Sequence, residues 1–244
     1  MKKILVLLVF TASIFKAKAD EGMWLPMLLG KQVYADMVKK GLKLTKDQLY
    51  SINKSSIKDA IIIFGGGCTG EIVSNQGLIF TNHHCGYDAI ARASSVEHNY
   101  LRDGFYAFNK DQEIESELTV QFLEKIVDVT TEVEAGVKGL NWEERSKKIN
   151  DVMKAITDKL ADKENGISAR IYSMFKGNQY IMYVYKRYRD IRLVGTPPES
   201  VGKFGGDTDN WEWPRHTGDF SVFRVYATKE GKPADYSTDN VPLK

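Results

Sequence analysis

The stretch Cys68 to Cys85, CTGEIVSNQGLIFTNHHC, limits the fold more than any other part of the chain. It holds both cysteines and two of the four histidines. Glu71 to Ser74 and Leu78 to Asn82 read as two strands about a tight Asn75-Gln76-Gly77 turn, the signature of a β-hairpin. The second strand runs into Thr81-Asn82-His83-His84-Cys85, so a histidine directly precedes a cysteine at the close of an apolar strand. The earlier cysteine lies one hairpin upstream, placed to staple the histidine's loop to the sheet.

Export decides the state of those cysteines. Lys2 and Lys3 precede an apolar run from Ile4 to Phe15, and Ala17-Lys18-Ala19 closes it with small residues at the two positions a signal peptidase reads. Residues 1–19 therefore read as a secretory signal, too short in its apolar part to span a bilayer. In an oxidising compartment two thiols pair, and Cys68 with Cys85 is the one pairing available. Removing the leader takes away four lysines and no acid, so 34 basic residues become 30 against 32 acidic ones and the formal charge moves from +2 to −2. That balance leaves no basic patch for nucleic acid. No membrane span is expected in the mature chain.

The mature chain, residues 20–244, begins with a helical pattern through Leu28, Leu29, Val33, Met37 and Val38, ending at Gly41. Thr45 and Gln48 make a capping box for a second short helix through Leu49 and Ile52. From Ala60 to Phe64 a β-branched run reads as a buried strand stopped by Gly65-Gly66-Gly67. Thr119 to Val129 is strand-like. Asn141 and Glu144 cap a helix whose apolar face is Ile149, Val152, Met153, Ile156 and Leu160, with Gly166 as its C-terminal cap. Ile171 to Phe175 and Gln179 to Tyr185 flank Lys176-Gly177-Asn178 as a hairpin. Ile191 to Val194 and Phe220 to Ala227 are strands on either side of a glycine- and aromatic-rich loop, in which Trp213 and Pro214 read as packing residues. The tail from Thr228 to Lys244 reads as having neither helix nor closing strand.

Nucleophilic hydrolysis by a serine peptidase of the trypsin type needs histidine, aspartate and serine in that chain order. The histidine takes the serine proton and returns it to the leaving amine, while the aspartate holds the ring's tautomer. Were the strand to continue, His83 and His84 would face opposite ways, and the neighbouring Cys85 favours His84 for the site. Asp207, Asp209 and Asp219 are the candidate carboxylates, with Asp219 at the mouth of an apolar strand. Cys68, His83, His84 and Cys85 are four residues of metal-binding type. Their adjacency matches no usual zinc spacing and the thiols are expected to be oxidised, so no metal and no cofactor are expected.

Two long motifs, CTGE through TNHHCGY and Asn210-Trp211-Glu212-Trp213-Pro214-Arg215-His216-Thr217-Gly218-Asp219-Phe220-Ser221, resemble the bacterial dipeptidyl-peptidase 7 and 11 family, serine peptidase family 46. The resemblance extends to Asp20-Glu21-Gly22-Met23-Trp24-Leu25-Pro26 and covers essentially the whole exported chain. It implies a mainly β fold with helical additions: a trypsin-like double β-barrel peptidase domain, its second barrel incomplete in this chain. It implies exported Gram-negative enzymes, periplasmic or at the outer surface, that remove dipeptides from peptides with a free N-terminus. By the same resemblance His84 is the general base, Asp219 its orienting carboxylate, and Asn210 and Trp211 bind the substrate's α-amino group. A homodimer of the full-length protein is implied as well. The family carries its serine in a Gly-Asn-Ser-Gly-like loop near the far end of a considerably longer chain. Only Ser221 and Ser237 follow Asp219 here, and neither has such glycine neighbours. The expectation is therefore the N-terminal portion of a serine dipeptidyl peptidase, inactive alone. A fragment of a trypsin-like endopeptidase and a non-catalytic secreted peptide-binding remnant are the alternatives.

Overall fold

The computed structural model describes residues 24–206 and 213–244. The expected leader, residues 1–19, and the candidates Asp207, Asp209, Asn210 and Trp211 lie outside the described residues. The chain forms two compact units, 1–46 and 47–244. In the first, helix α1 (Lys31–Lys39) ends before Gly41, whose φ of 108° suits glycine alone. The Lys46 ammonium donates to Leu29 O (2.8 Å) and lies over the Tyr34 ring, while the Tyr34 hydroxyl donates to Leu44 O (3.0 Å). The expected second helix, α2 (Lys46–Leu49), is a single turn that stops short of Ile52.

The larger unit is a barrel. Strands β1 (Ile61–Phe64), β2 (Cys68–Ile72) and β3 (Leu78–Thr81) form an antiparallel meander, with Gly77 (φ 65°) in the tight turn before β3. After helices α3 (His83–Ala93) and α4 (Tyr100–Asp103) come the short strands β4 (Phe105–Tyr106) and β5 (Ile114–Ser116). Strand β6 (Val120–Asp128) pairs with β1 through Ile62↔Phe122 and Phe64↔Val120. Helices α5 (Thr130–Gly136) and α6 (Trp142–Asp158) and strand β7 (Ile167–Met174) follow. Next are β8 (Gln179–Tyr188), β9 (Asp190–Thr196), the one-turn helix α7 (Glu199–Gly202), β10 (Ser221–Ala227) and β11 (Val241–Pro242).

Only Arg189 separates β8 from β9, and that junction closes the ring. Tyr188 still pairs with Val120 of β6, while Asp190 already pairs with Tyr226 of β10. Strand β10 then pairs with β3, so the pairings run around and meet. Inside lie Ile62 and Phe64, Ile79, Val120, Tyr188, Ile191 and Leu193, and Phe223 and Val225, with Cys68 and Ile72 of β2 packed against them. Phe64 and Phe223 reach each other from β1 and β10 with ring centroids 5.0 Å apart. Removing each such side chain from water is worth about 1.5–3 kcal/mol.

Beyond the barrel, the far halves of β6 and β8 continue with β7 as a wing. The β6 register shifts between Leu123 and Lys125, where the strand leaves the wall. One wing face, with Tyr180, Met182 and Val184, packs with Val129 and Val133 near α5 and with Ile149, Met153 and Ile156 of α6. The Asn141–Glu144 capping box opens α6 as expected. The helix ends at Asp158, earlier than its apolar pattern suggests: Leu160 lies past the end and is 37% exposed. Gly166 is no cap for it. With φ 68° it turns the chain into β7, where a Cβ would lie 2.6 Å from Arg187 O.

The tail corrects a second expectation. It carries β11, which pairs with the end of β10. It is also pinned by the buried Arg192, which donates to both Asp190 oxygens (2.9 and 2.8 Å) and to Ser237 O (2.7 Å). Its guanidinium lies over the rings of Tyr226 and Tyr236 at 3.7 and 4.6 Å. No helix among the described residues is long and apolar enough to cross a membrane.

Candidate active site

The strand that ends the hairpin stops at Thr81, one residue before the sequence reading continues it, and the histidines open α3 instead. Asn82, in extended backbone (φ −75°, ψ 153°), is the residue before the helix. Successive side chains on a helix diverge by about 100°. His83 therefore turns inward and is 1% exposed, while the His84 side chain stays 66% exposed. The helix reaches β10 closely: a Cβ at Gly86 would lie 2.9 Å from both Phe223 Cε2 and Ser221 Oγ. Cys85, one turn into the structure, is bonded to Cys68 of β2. Closing a loop of 17 residues is worth about 3 kcal/mol on chain-entropy grounds. The double substitution Cys68→Ser with Cys85→Ser should lower unfolding free energy by that amount in a denaturant titration. A change below about 1 kcal/mol would show that the crosslink does not brace this turn.

Asp219 stands just before β10, and the pairing Thr81↔Ser221 brings it beside α3 across 135 residues of sequence. Its carboxylate, 10% exposed, is held from two sides. Oδ1 accepts the His84 backbone N–H (3.0 Å), and Oδ2 lies 2.8 Å from His84 Nδ1. The Asn82 amide donates to Oδ2 (3.1 Å) and to Asp219 O (3.2 Å), while the Ser221 hydroxyl donates to Asn82 O (2.8 Å). Burial alone would push the Asp219 carboxyl up. The bonds from the His84 backbone and ring, the His84 charge and the Asn82 amide outweigh it and hold the group below the usual carboxylate range. A carboxylate at Nδ1 places the ring proton there and leaves the Nε2 lone pair to act as a base.

His84 and Asp219 border a cavity of about 510 Å³ whose other walls include Tyr87, Asp88, Gly202 and Lys203. Tyr87 links helix α3 to α7, its hydroxyl donating to Glu199 Oε1 (3.2 Å). Two further lining residues, Gly206 and Thr217, flank in sequence the segment with Asn210 and Trp211. Trp213, read from sequence as a packing residue, is 88% exposed.

The two serines after Asp219 are engaged elsewhere. Ser221 is fully buried and bonded to Asn82, and Ser237 Oγ accepts from Asp239 N in the pinned tail. Cys68, His84 and Cys85 lie close enough together to hold a metal ion, but the sulfurs are joined to each other and provide no thiolate. Sequence reasoning placed His84 and Asp219 together; it missed the inward His83 and the Tyr87–Glu199 link. The signal for both is the spacing His83, Tyr87, Ile90, which only a helix puts on one face.

The Peptidase S46 family model matches residues 19–244. The chain is 49% identical to an "Asp/Glu-specific dipeptidyl-peptidase" of Porphyromonas gingivalis, an alignment covering all of this chain and 35% of that protein. It is also 49% identical to a "Dipeptidyl-peptidase 7" of Phocaeicola vulgatus, covering 99% of this chain and 34% of the relative. A crystal structure of Porphyromonas endodontalis DPP11 in complex with substrate superposes with a TM-score of 0.83 at 46% identity, covering 92% of this chain and 34% of the other. The chain thus spans about a third of the length of these relatives.

Proposed function

The chain belongs to the peptidase S46 family, and from that premise we propose that it supplies the general base and orienting carboxylate of an exported serine dipeptidyl peptidase. The observation that carries this reading is the His84 Nδ1–Asp219 Oδ2 contact of 2.8 Å at the edge of a substrate-sized cavity. In the reaction, His84 Nε2 takes the proton of a serine hydroxyl as the oxygen attacks the scissile carbonyl, then delivers it to the departing amine. Asp219 stabilises the imidazolium between those steps. The serine belongs to the part of the family's length that this chain does not span. Asn210 and Trp211 receive the substrate's α-ammonium, the amide oxygen accepting a hydrogen bond and the indole offering its π-face. The apolar leader at residues 4–15 directs export.

The test compares paired peptide substrates that differ only in a free or acetylated N-terminus, using a polypeptide of the relatives' full length. Release of dipeptides from the free peptide alone is the expected result. Equal cleavage of the acetylated peptide would make the protein an endopeptidase and remove the role given to Asn210 and Trp211. Residues 20–244 alone should give no turnover, and turnover abolished by Ser237→Ala would overturn the assignment of the nucleophile.

A further inference from the structure

We propose that His83 is a positioning residue for the base: a neutral, buried imidazole that fixes the turn carrying His84 against the α7 wall of the cavity. The proposal rests on the reading of His84 as the base. Its test follows ring protonation and amide exchange rather than turnover, so it stands or falls apart from dipeptide release.

His83 is 1% exposed, yet its Nε2 has no hydrogen-bond partner among the described residues. Leaving a polar atom buried and unpaired is costly, and a side chain with only a packing task would be cheaper as a hydrocarbon. The ring is gripped on both sides. Tyr87 meets it edge-on, with centroids 5.9 Å apart and planes at 74°. On α7, the Gly202 backbone approaches so closely that a Cβ there would lie 2.5 Å from two ring carbons. The Tyr87 hydroxyl holds Glu199 at the other end of α7. His83 and Tyr87, one turn apart on α3, thus clasp both ends of α7. In sequence His83 sits between Asn82 and His84, the two residues that bond Asp219. The turn 82–84 is therefore clamped by Asp219 on one side and by α7, through His83, on the other.

The clamp needs an uncharged ring, since a second N–H would have no acceptor in the slot. Around it stand Asp219 before β10, Glu199 of α7 with Lys203 just beyond, and His84, Tyr87 and Asp88 of its own helix. Burial pushes His83 below the ordinary histidine range; Asp219 and Glu199 pull it upward, and His84 adds to the lowering. The unfolded chain binds this proton more readily than the folded one. Stability is therefore complete above the ordinary histidine range and falls as pH drops through it toward the lower folded value.

The experiment records ring nitrogen and carbon titrations of each histidine by NMR, together with amide exchange at Val201, Gly202 and Lys203, whose N–H groups bond Pro198 O and Glu199 O. His83 should take its proton below the ordinary histidine range. At that same midpoint exchange on α7 and at the His84 backbone N–H, which bonds Asp219 Oδ1 (3.0 Å), should each accelerate by at least about tenfold relative to the intrinsic amide rate, the equivalent of one pK unit. In His83→Phe, which keeps a ring but no proton, both steps should vanish. Titration of His83 within the ordinary range, or persistence of the steps in His83→Phe, overturns the proposal. Should that variant fail to fold, the parent chain still decides: an α7 step that does not coincide with the His83 titration rules it out.

Discussion

Replacing His84 by alanine, in a polypeptide of the relatives' full length, should lower kcat/KM for dipeptidyl substrates by at least about 10⁴-fold with little change in KM. The loss falls on kcat because the imidazole acts when the serine proton moves, not when the peptide docks. The substitution is also structurally mild, which makes the measurement clean. The His84 ring is two-thirds exposed, its backbone N–H still bonds Asp219, and the neighbouring disulfide is untouched. Unchanged thermal unfolding alongside the lost rate would separate chemistry from folding. Activity within tenfold of the parent would remove His84 from the mechanism.

Asp219→Asn should cost about 10⁴-fold in kcat, for a reason written in the hydrogen-bond donors. Oδ1 serves the His84 backbone N–H, while Oδ2 serves both His84 Nδ1 and the Asn82 amide. An asparagine that keeps its oxygen toward the backbone N–H turns its NH₂ toward Nδ1 and toward another NH₂. The imidazole then carries its proton on Nε2 and can accept none from a serine. The flipped amide turns its NH₂ against the His84 backbone N–H instead. Neither orientation satisfies the turn, so the variant should also unfold earlier, and ring nitrogen shifts should report the Nε2–H tautomer. In the parent, the carboxyl lies below its usual range, so its stabilisation is present above that range and disappears as pH falls through the lowered value. A variant rate within tenfold of the parent would sink the orienting role.

What the sequence disclosed follows from how locally each feature is encoded. Strands β1, β3, β8 and β10 announce themselves as β-branched and aromatic runs ended by glycines or polar turns, and the α6 start has its own capping box. Helix α3 has no such local signature. It opens with His-His-Cys-Gly, weak helix formers, and exists because Gly86 lets it lie against Phe223 while Cys85 ties it to β2. Strand β11 is two residues long with a proline, too short for periodicity to register. The meeting of His84 with Asp219 depends on the β3–β10 register, a long-range fact that a motif implies only by analogy. The closing of the barrel through Arg189 is equally silent in sequence, where Tyr188-Arg189-Asp190 looks like the gap between two unrelated strands.

That junction has a consequence for the wing. Its polypeptide leaves the wall beyond Leu123 and returns at Tyr185, and those two residues face each other across the β6–β8 pair. Topologically, everything between them is one very long hairpin loop that happens to have folded a core of its own around Val133 and Met182. Both its ends are pinned a strand's width apart, and β7 returns alongside them, with Ser168 paired to Tyr185 and Ile167 to Lys186. The wing therefore meets the catalytic ring through β6 and β8, strands whose near halves are wall and whose far halves belong to a separate core.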